Sequence, residues 1–122
     1  MCNMLISINP EYVENIFNGT KRYEYRKIKC KQDIDKIIIY STYPIMKVVG
    51  EAKVEKILED SPDNIWKETK KYSGVDLQFY QKYFNGKTKA IAYKLTNIKK
   101  YKNPKDLSSY GVKVAPQSFV YL

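Results

Sequence analysis

Gly19-Thr20-Lys21-Arg22-Tyr23-Glu24-Tyr25-Arg26 is the stretch on which the reading of this chain turns. Asn18-Gly19 is a helix stop, and the tyrosine-rich run over 20–29 that follows has strand character. A helix-to-strand corner of this kind holds side chains rigidly at the mouth of a barrel. The chain has two arginines, Arg22 and Arg26, against twenty lysines, and both lie here, four residues apart. On a strand, Arg22, Glu24 and Arg26 share one face and Tyr23 and Tyr25 the other. A buried Glu flanked by guanidinium groups stays ionised. The planar fork of Arg suits a carboxylate, a phosphate or the edge of a base in a way lysine does not. Lys21 has the opposite parity from Glu24, so the two converge only if Lys21 precedes the regular strand or a bulge intervenes. The alternative is an outward ladder of ion pairs on an edge strand, which contributes little.

On the N-terminal side, Leu5-Ile6-Ser7-Ile8 predicts a short strand. Asn9-Pro10-Glu11 then opens a helix with an Asn cap, a Pro in the first position and an acid in the first turn. Tyr12, Val13, Ile16 and Phe17 recur along it at helical spacing. On the C-terminal side, strands are expected over Ile34 to Thr42, closed by Tyr43-Pro44, and over Lys47 to Leu58, with a bulge or bend at Gly50 and Lys56-Ile57. Ser61-Pro62-Asp63 starts a second helix carrying Ile65, Trp66, Thr69 and Tyr72 on one side, stopped by Ser73-Gly74. Asp76 caps a third, with Phe79, Tyr80, Tyr83 and Phe84 as its apolar side. Thr88 to Tyr101 is a long strand, Asn103-Pro104 begins an irregular tail, and Phe119 to Leu122 is a last edge strand. This order does not alternate strand and helix, which argues against a doubly wound sheet and for an α+β domain: a small, strongly curved β-barrel with about three helices.

The chain has 122 residues, 43% hydrophobic and 29% charged, the length and balance of one globular domain spanning 1–122. No apolar run approaches the roughly 18 residues of a membrane span. The first residues have neither the basic nor the apolar region of a secretory signal, so a cytoplasmic protein without membrane contact is expected. Two cysteines, Cys2 and Cys30, are too few for a disulfide framework and are read as free thiols. With no His in the chain, neither a metal site nor a cofactor is expected. Any catalysis falls to Lys, Glu, Asp, Tyr, Ser or Thr.

The net charge of +9 is unevenly placed. Residues 1–76 hold 13 Lys/Arg and 12 Asp/Glu, whereas residues 77–105 hold eight lysines and no acid. Such a block attracts a polyanion, with nucleic acid the commonest candidate, or forms a solvated face that keeps the protein soluble. Lys87, Lys89, Lys94, Lys99, Lys100 and Lys102 are the candidate contacts to a nucleic-acid backbone. Of the twelve tyrosines, Tyr72 and Tyr101 stand beside lysines at element ends and are stacking candidates. Tyr80, Tyr83, Phe84, Tyr93 and Trp66 are read as core.

Two segments, Leu5-Ile6-Ser7-Ile8-Asn9-Pro10-Glu11-Tyr12 and Ile16-Phe17-Asn18-Gly19-Thr20-Lys21-Arg22-Tyr23-Glu24-Tyr25-Arg26, resemble the ASCH domain (activating signal cointegrator homology) of the PUA-like superfamily. The family hallmark Gly-x-Lys-x-x-Glu-x-Arg is matched by Gly19, Lys21, Glu24 and Arg26. Val49-Gly50-Glu51 with Val54 and Ile57-Leu58 resembles the family's central strand. Ala115-Pro116-Gln117-Ser118-Phe119 resembles the C-terminal segment of its prokaryotic single-domain members. The resemblance implies a PUA-like barrel with a cleft between helix and barrel, proposed to bind RNA or a nucleotide-like ligand. Carried over by residue, Lys21, Glu24 and Arg26 line that cleft, joined by Ser7, Ser41, Thr42 and Gln117 as its polar groups.

Three functions stay open. The leading one is an RNA- or nucleotide-binding module serving RNA metabolism or transcription-related regulation. The second is a small metal-independent amidohydrolase acting on an acylated nucleoside such as acetylcytidine. One ASCH branch does this with a Thr three residues after the motif lysine; Glu24 stands at that position here, so Glu24 would act as base toward water with Lys21 polarising the carbonyl. The third is a regulatory adaptor for a protein partner.

Overall fold

The computed structural model describes residues 2–122. Its strands are β1 (Cys2–Ile8), β2 (Tyr23–Arg26), β3 (Ile34–Ser41), β4 (Lys47–Asp60), β5 (Ala90–Lys105) and β6 (Phe119–Tyr121). Its α-helices are α1 (Pro10–Phe17), α2 (Pro62–Thr69) and α3 (Leu77–Tyr83), with 3₁₀ turns at Lys70–Tyr72 and Leu107–Tyr110. The strands form one six-stranded sheet in the order β2-β5-β4-β3-β1-β6, curled into a half-barrel. Only β1 and β3 run parallel, joined by the crossover that carries α1 and β2; the other pairs are antiparallel. None of the described helices is long and apolar enough to cross a membrane.

Side-chain caps start all three helices. The Asn9 side chain accepts from the Glu11 N–H, Ser61 from Asn64, and Asp76 from Phe79, which satisfies donors that a first turn otherwise leaves open. The run Ile37-Ile38-Ile39-Tyr40 is continuous rather than alternating because β3 is covered on both faces. Ile37 and Ile39 meet Val13 and Ile16 of α1 in the main core, together with Met4, Ile6, Ile91 and Tyr93. Ile38 and Tyr40 meet Leu5 and Val48 beneath Tyr101, Leu107 and Tyr110. A third cluster packs Ile65, Tyr80 and Phe84 of the helical layer on Tyr25, Ala90 and Ala92. Trp66 lies against Tyr80 with ring centroids 4.7 Å apart.

Two elements differ from expectation. The strand expected over 20–29 is cut to Tyr23–Arg26: the Lys21 and Arg22 N–H groups turn away to α1 and the α2–α3 connection, although the Arg22 carbonyl still accepts from the Leu95 N–H of β5 (2.8 Å). The strand expected to end near Tyr101 runs on to Lys105. Pro104 fits because the ladder skips from Gly50↔Lys100 to Val48↔Lys105, an irregularity in which the intervening β5 residues have no ladder partner to donate to. Gly50 sits at that irregularity. A Cβ there would lie 2.5 Å from the Lys99 carbonyl oxygen and 2.8 Å from the Phe17 ring, so the absence of a side chain lets α1 seat on the bulged β4–β5 pair. Gly50→Ala is therefore expected to lose about 1–3 kcal/mol in urea unfolding, the cost of overpacking a close contact between backbone and a ring; an unchanged midpoint would show that α1 is free to shift.

Candidate functional site

The site starts from the way α1 ends. Gly19 takes a left-handed φ of 87°, and the Asn18 side-chain oxygen accepts from the Thr20 N–H (3.0 Å) and hydroxyl (2.7 Å). The chain folds back so that the Lys21 N–H donates to the Asn15 carbonyl (2.9 Å), while the Arg22 N–H donates to the Tyr72 carbonyl (2.8 Å). Lys21 forms an isolated antiparallel bridge with Ser73, ahead of β2. That placement resolves the parity conflict, since Lys21 precedes the regular strand and turns to the same side as Glu24.

The backbone at Ser73 and Gly74 lies directly on the lysine. Gly74 has φ 68°, and a Cβ there would stand 2.2 Å from Lys21 Cβ. The Gly74 carbonyl accepts from Asn15 Nδ2 (3.0 Å), which ties this turn to α1. Lys21 is 1% exposed; its Nζ donates to the Ser73 carbonyl (2.9 Å), lies 3.8 Å from Glu24 Oε1, and sits over the Tyr25 ring at 4.8 Å. Glu24 is also buried. Its Oε1 accepts from the Tyr25 N–H (3.1 Å) and its Oε2 lies 3.3 Å from Arg26 Nη2. Arg26 then reaches past the free edge of β2: Nη2 donates to the Ser7 carbonyl on β1 (2.8 Å), and Nη1 approaches Ser118 Oγ beside β6 (3.4 Å). Arg26 Nε is buried and has no hydrogen-bond partner among the described residues.

Burial pulls the Lys21 ammonium below its ordinary pKa of 10.5, with Glu24 opposing that shift and Arg26 adding to it. Burial pushes the Tyr25 phenol up to about 12. The Thr69 hydroxyl donates to the Ile65 carbonyl (2.7 Å), so in the 2.7 Å contact between Tyr25 and Thr69 it is the phenol that donates.

Lys21, Glu24 and Arg26 border a cavity of about 170 Å³. Ser7, Ile8 and Asn9 form its β1 rim, and Tyr12, Val75, Phe79, Tyr80 and Tyr83 supply apolar walls. A second hollow of about 470 Å³ adjoins it, bordered by Lys27, Ile28, Gln117, Ser118 and Phe119, and it shares Arg26 and Tyr83 with the first. Ser7 is thus at the cavity, although its hydroxyl donates to the Pro116 carbonyl (2.7 Å) and anchors the C-terminal segment. Gln117 lies on the second hollow only. Ser41 and Thr42 sit at the end of β3, where the Thr42 N–H donates to the Ile8 carbonyl, and neither lines the two hollows. Arg22 leaves the group: it is exposed, with its guanidinium 3.9 Å from the Tyr72 ring centre.

The six candidate backbone lysines lie outside both hollows. Lys87 borders a groove between α2 and α3, and Lys89 is exposed in the loop before β5. Lys94 is ion-paired with Glu55 at 2.9 Å. Lys99, Lys100 and Lys102 are exposed on the second half of β5. Tyr101 gives its hydroxyl to Glu51 (2.8 Å) and packs under Leu107, a structural role. Sequence reasoning did not single out Asn9, Tyr12, Phe79, Tyr83, Ser118 or the Ser73 carbonyl as site groups. Only Ser118 left a usable sign, standing beside Gln117 in the family-like tail.

The ASCH domain pattern matches residues 6–105. The chain is 33% identical over 92 residues to the ASCH domain-containing ribonuclease of Zymomonas mobilis, a match covering 75% of this chain and 62% of that protein. It is 32% identical over 120 residues to a Ureaplasma parvum protein named ATP synthase subunit alpha, covering 98% of this chain and 15% of that one. The chain thus spans less than two-thirds of the length of these relatives. The crystal structure of ASCH from Zymomonas mobilis superposes with a TM-score of 0.89 at 28% identity, covering 98% of this chain and 87% of that one.

Because the folded state holds the Lys21 proton less tightly than the unfolded chain, the unfolded state binds more protons at pH values up to 10.5. The cost of the buried ammonium therefore fades as pH rises toward that value. The stability of the wild type relative to Lys21→Met should increase as pH rises toward 10.5 in urea titrations. A pH-independent difference would mean that the ammonium is as well solvated folded as unfolded.

Proposed function

The chain belongs to the ASCH domain family, and from that premise we propose that it is an RNA-directed domain, holding one nucleotide of a single-stranded RNA in the cavity bordered by Lys21, Glu24 and Arg26. The observation that carries this reading is the charge count at the cavity wall. Two cations share one carboxylate, Glu24 is the sole acid among the described lining residues, and a buried Arg26 N–H has no acceptor. Such a wall is one anion short, and a phosphate supplies that charge. The aromatic walls of Tyr12, Phe79 and Tyr83 offer faces for a base. At about 170 Å³ the cavity is smaller than the roughly 300–1,000 Å³ of a site that engulfs a whole ligand, so it suits one unpaired base or a sugar-phosphate. The exposed lysines of β5 and its preceding loop, Lys87, Lys89, Lys99, Lys100 and Lys102, serve in this reading as outlying phosphate contacts. Lys94 joins them only by releasing Glu55.

A second reading, strand scission at the same cavity, is favoured by the likeness to a protein named a ribonuclease. In that reaction the ribose 2′-oxygen bonds to phosphorus and the bond from phosphorus to the 5′-oxygen breaks, leaving a 2′,3′-cyclic phosphate. Glu24 takes the 2′-hydroxyl proton, Lys21 gives one to the departing 5′-oxygen, and Arg26 offsets the charge gathering on the phosphoryl oxygens. The lowered affinity of the buried Lys21 for its proton suits it to that donation.

Fluorescence anisotropy with a labelled single-stranded oligoribonucleotide tests the first reading. Binding is expected at low salt, weakening with a log–log slope of about −0.7 per neutralised phosphate. Arg26→Ala, folded by circular dichroism, should bind about tenfold or more weakly. Loss of 5′-hydroxyl product in Lys21→Ala, with binding retained, would support scission. No affinity for RNA at low salt, or turnover of acetylcytidine by a protein that ignores RNA, would overturn the proposal.

A further inference from the structure

Resting on that reading, the geometry points to a substrate at least two nucleotides long: the second hollow, which borders Arg26 as the first does, is the subsite for the neighbouring nucleotide. β2 and β6 are the two edge strands of the half-barrel, and Arg26 is the side chain that crosses the seam between them. The two hollows share Arg26 and Tyr83 as lining residues. A dinucleotide reaching into both hollows brings its linking phosphate beside the Arg26 guanidinium, a group suited to it.

The second hollow has its own nucleotide-binding chemistry. The Lys27 ammonium stands 4.6 Å from the Tyr83 ring centre, a cation beside an aromatic face, and no acidic side chain is among its described lining residues. Gln117 is exposed at its rim and offers both a donor and an acceptor to a base edge. Phe119 and Ile28 add apolar surface. Its volume of about 470 Å³ exceeds that of the first hollow, giving room for a full nucleotide where the first admits a base or sugar-phosphate. A free nucleoside fills only one of the two; a polymer fills both, and binding the second unit is then intramolecular.

Isothermal titration with 5′-phosphorylated uridylates of one and two residues, 2′-O-methylated so that no 2′-hydroxyl can attack, tests this. The dinucleotide is expected to bind about tenfold or more tightly than the mononucleotide. Lys27→Ala and Gln117→Ala, both at exposed positions, should erase most of that gain. Equal affinity for one and two residues, or full gain retained in both variants, would overturn the second subsite while leaving the first cavity as a nucleotide site. Failure of both probes to bind would remove the underlying reading as well.

Discussion

One carboxylate holds this site together. Glu24 is 6% exposed and stands between Lys21 on one side and Arg26 on the other, and it also accepts from the Tyr25 N–H. Each cation is fastened at its far side to a backbone carbonyl from a different part of the fold, Ser73 for Lys21 and Ser7 for Arg26. The α2–α3 turn and the β1 edge are therefore linked through a single side chain. Desolvating three charges is costly, and the net charge left over is positive. A hydrophobic replacement of similar shape commonly serves stability as well or better. The arrangement makes physical sense as a rigid placement of charge toward a cavity, with a supporting carbonyl beneath each cation.

Backbone contacts explain why the site was only partly legible in the sequence. Glu24 and Arg26 could be read from strand alternation, and the ends of α1 from Asn9, Pro10 and Gly19, because these signals are local. The fate of Lys21 was not local. Its direction depends on a bridge to Ser73, fifty-two residues away, and on Gly74 lacking a Cβ. A carbonyl leaves no trace in residue type, so nothing in the sequence marked Ser73 as a partner. Arg22 shows the converse: alternation put it with Glu24 and Arg26, but β2 begins only at Tyr23, and Tyr72 takes its guanidinium. The continuous apolar run in β3 was correctly a strand, while its coverage on both faces follows from tertiary packing of Tyr101 and Leu107 that no window of sequence contains.

The fold places charge in two separate ways. The lysines that give the chain its excess lie along β5 and the loop before it, several of them on the exposed half that pairs with β4 across a broken register. Solvent and salt screen such groups, and their interactions are diffuse. The site charges come instead from the α1–β2 corner, where burial makes each one strongly directional. Composition made the first group conspicuous and hid the second. In this reading the exposed lysines bring a polyanion near, whereas discrimination rests with the few groups at the seam.

That seam also bears on how one domain can recur in relatives of very different size and name. A half-barrel has two edges, and here the edges are bridged by a side chain instead of a hydrogen-bonded ladder. The open side is lined partly by core residues, Ile8, Tyr25 and Tyr80, and partly by polar groups outside the core clusters, Ser7, Asn9, Lys21, Glu24 and Arg26. Fold and function are then only loosely coupled. The sheet sets the position of the opening, while the α1–β2 corner, the Ser73-Gly74 turn and the segment before β6 supply or support the polar groups around it.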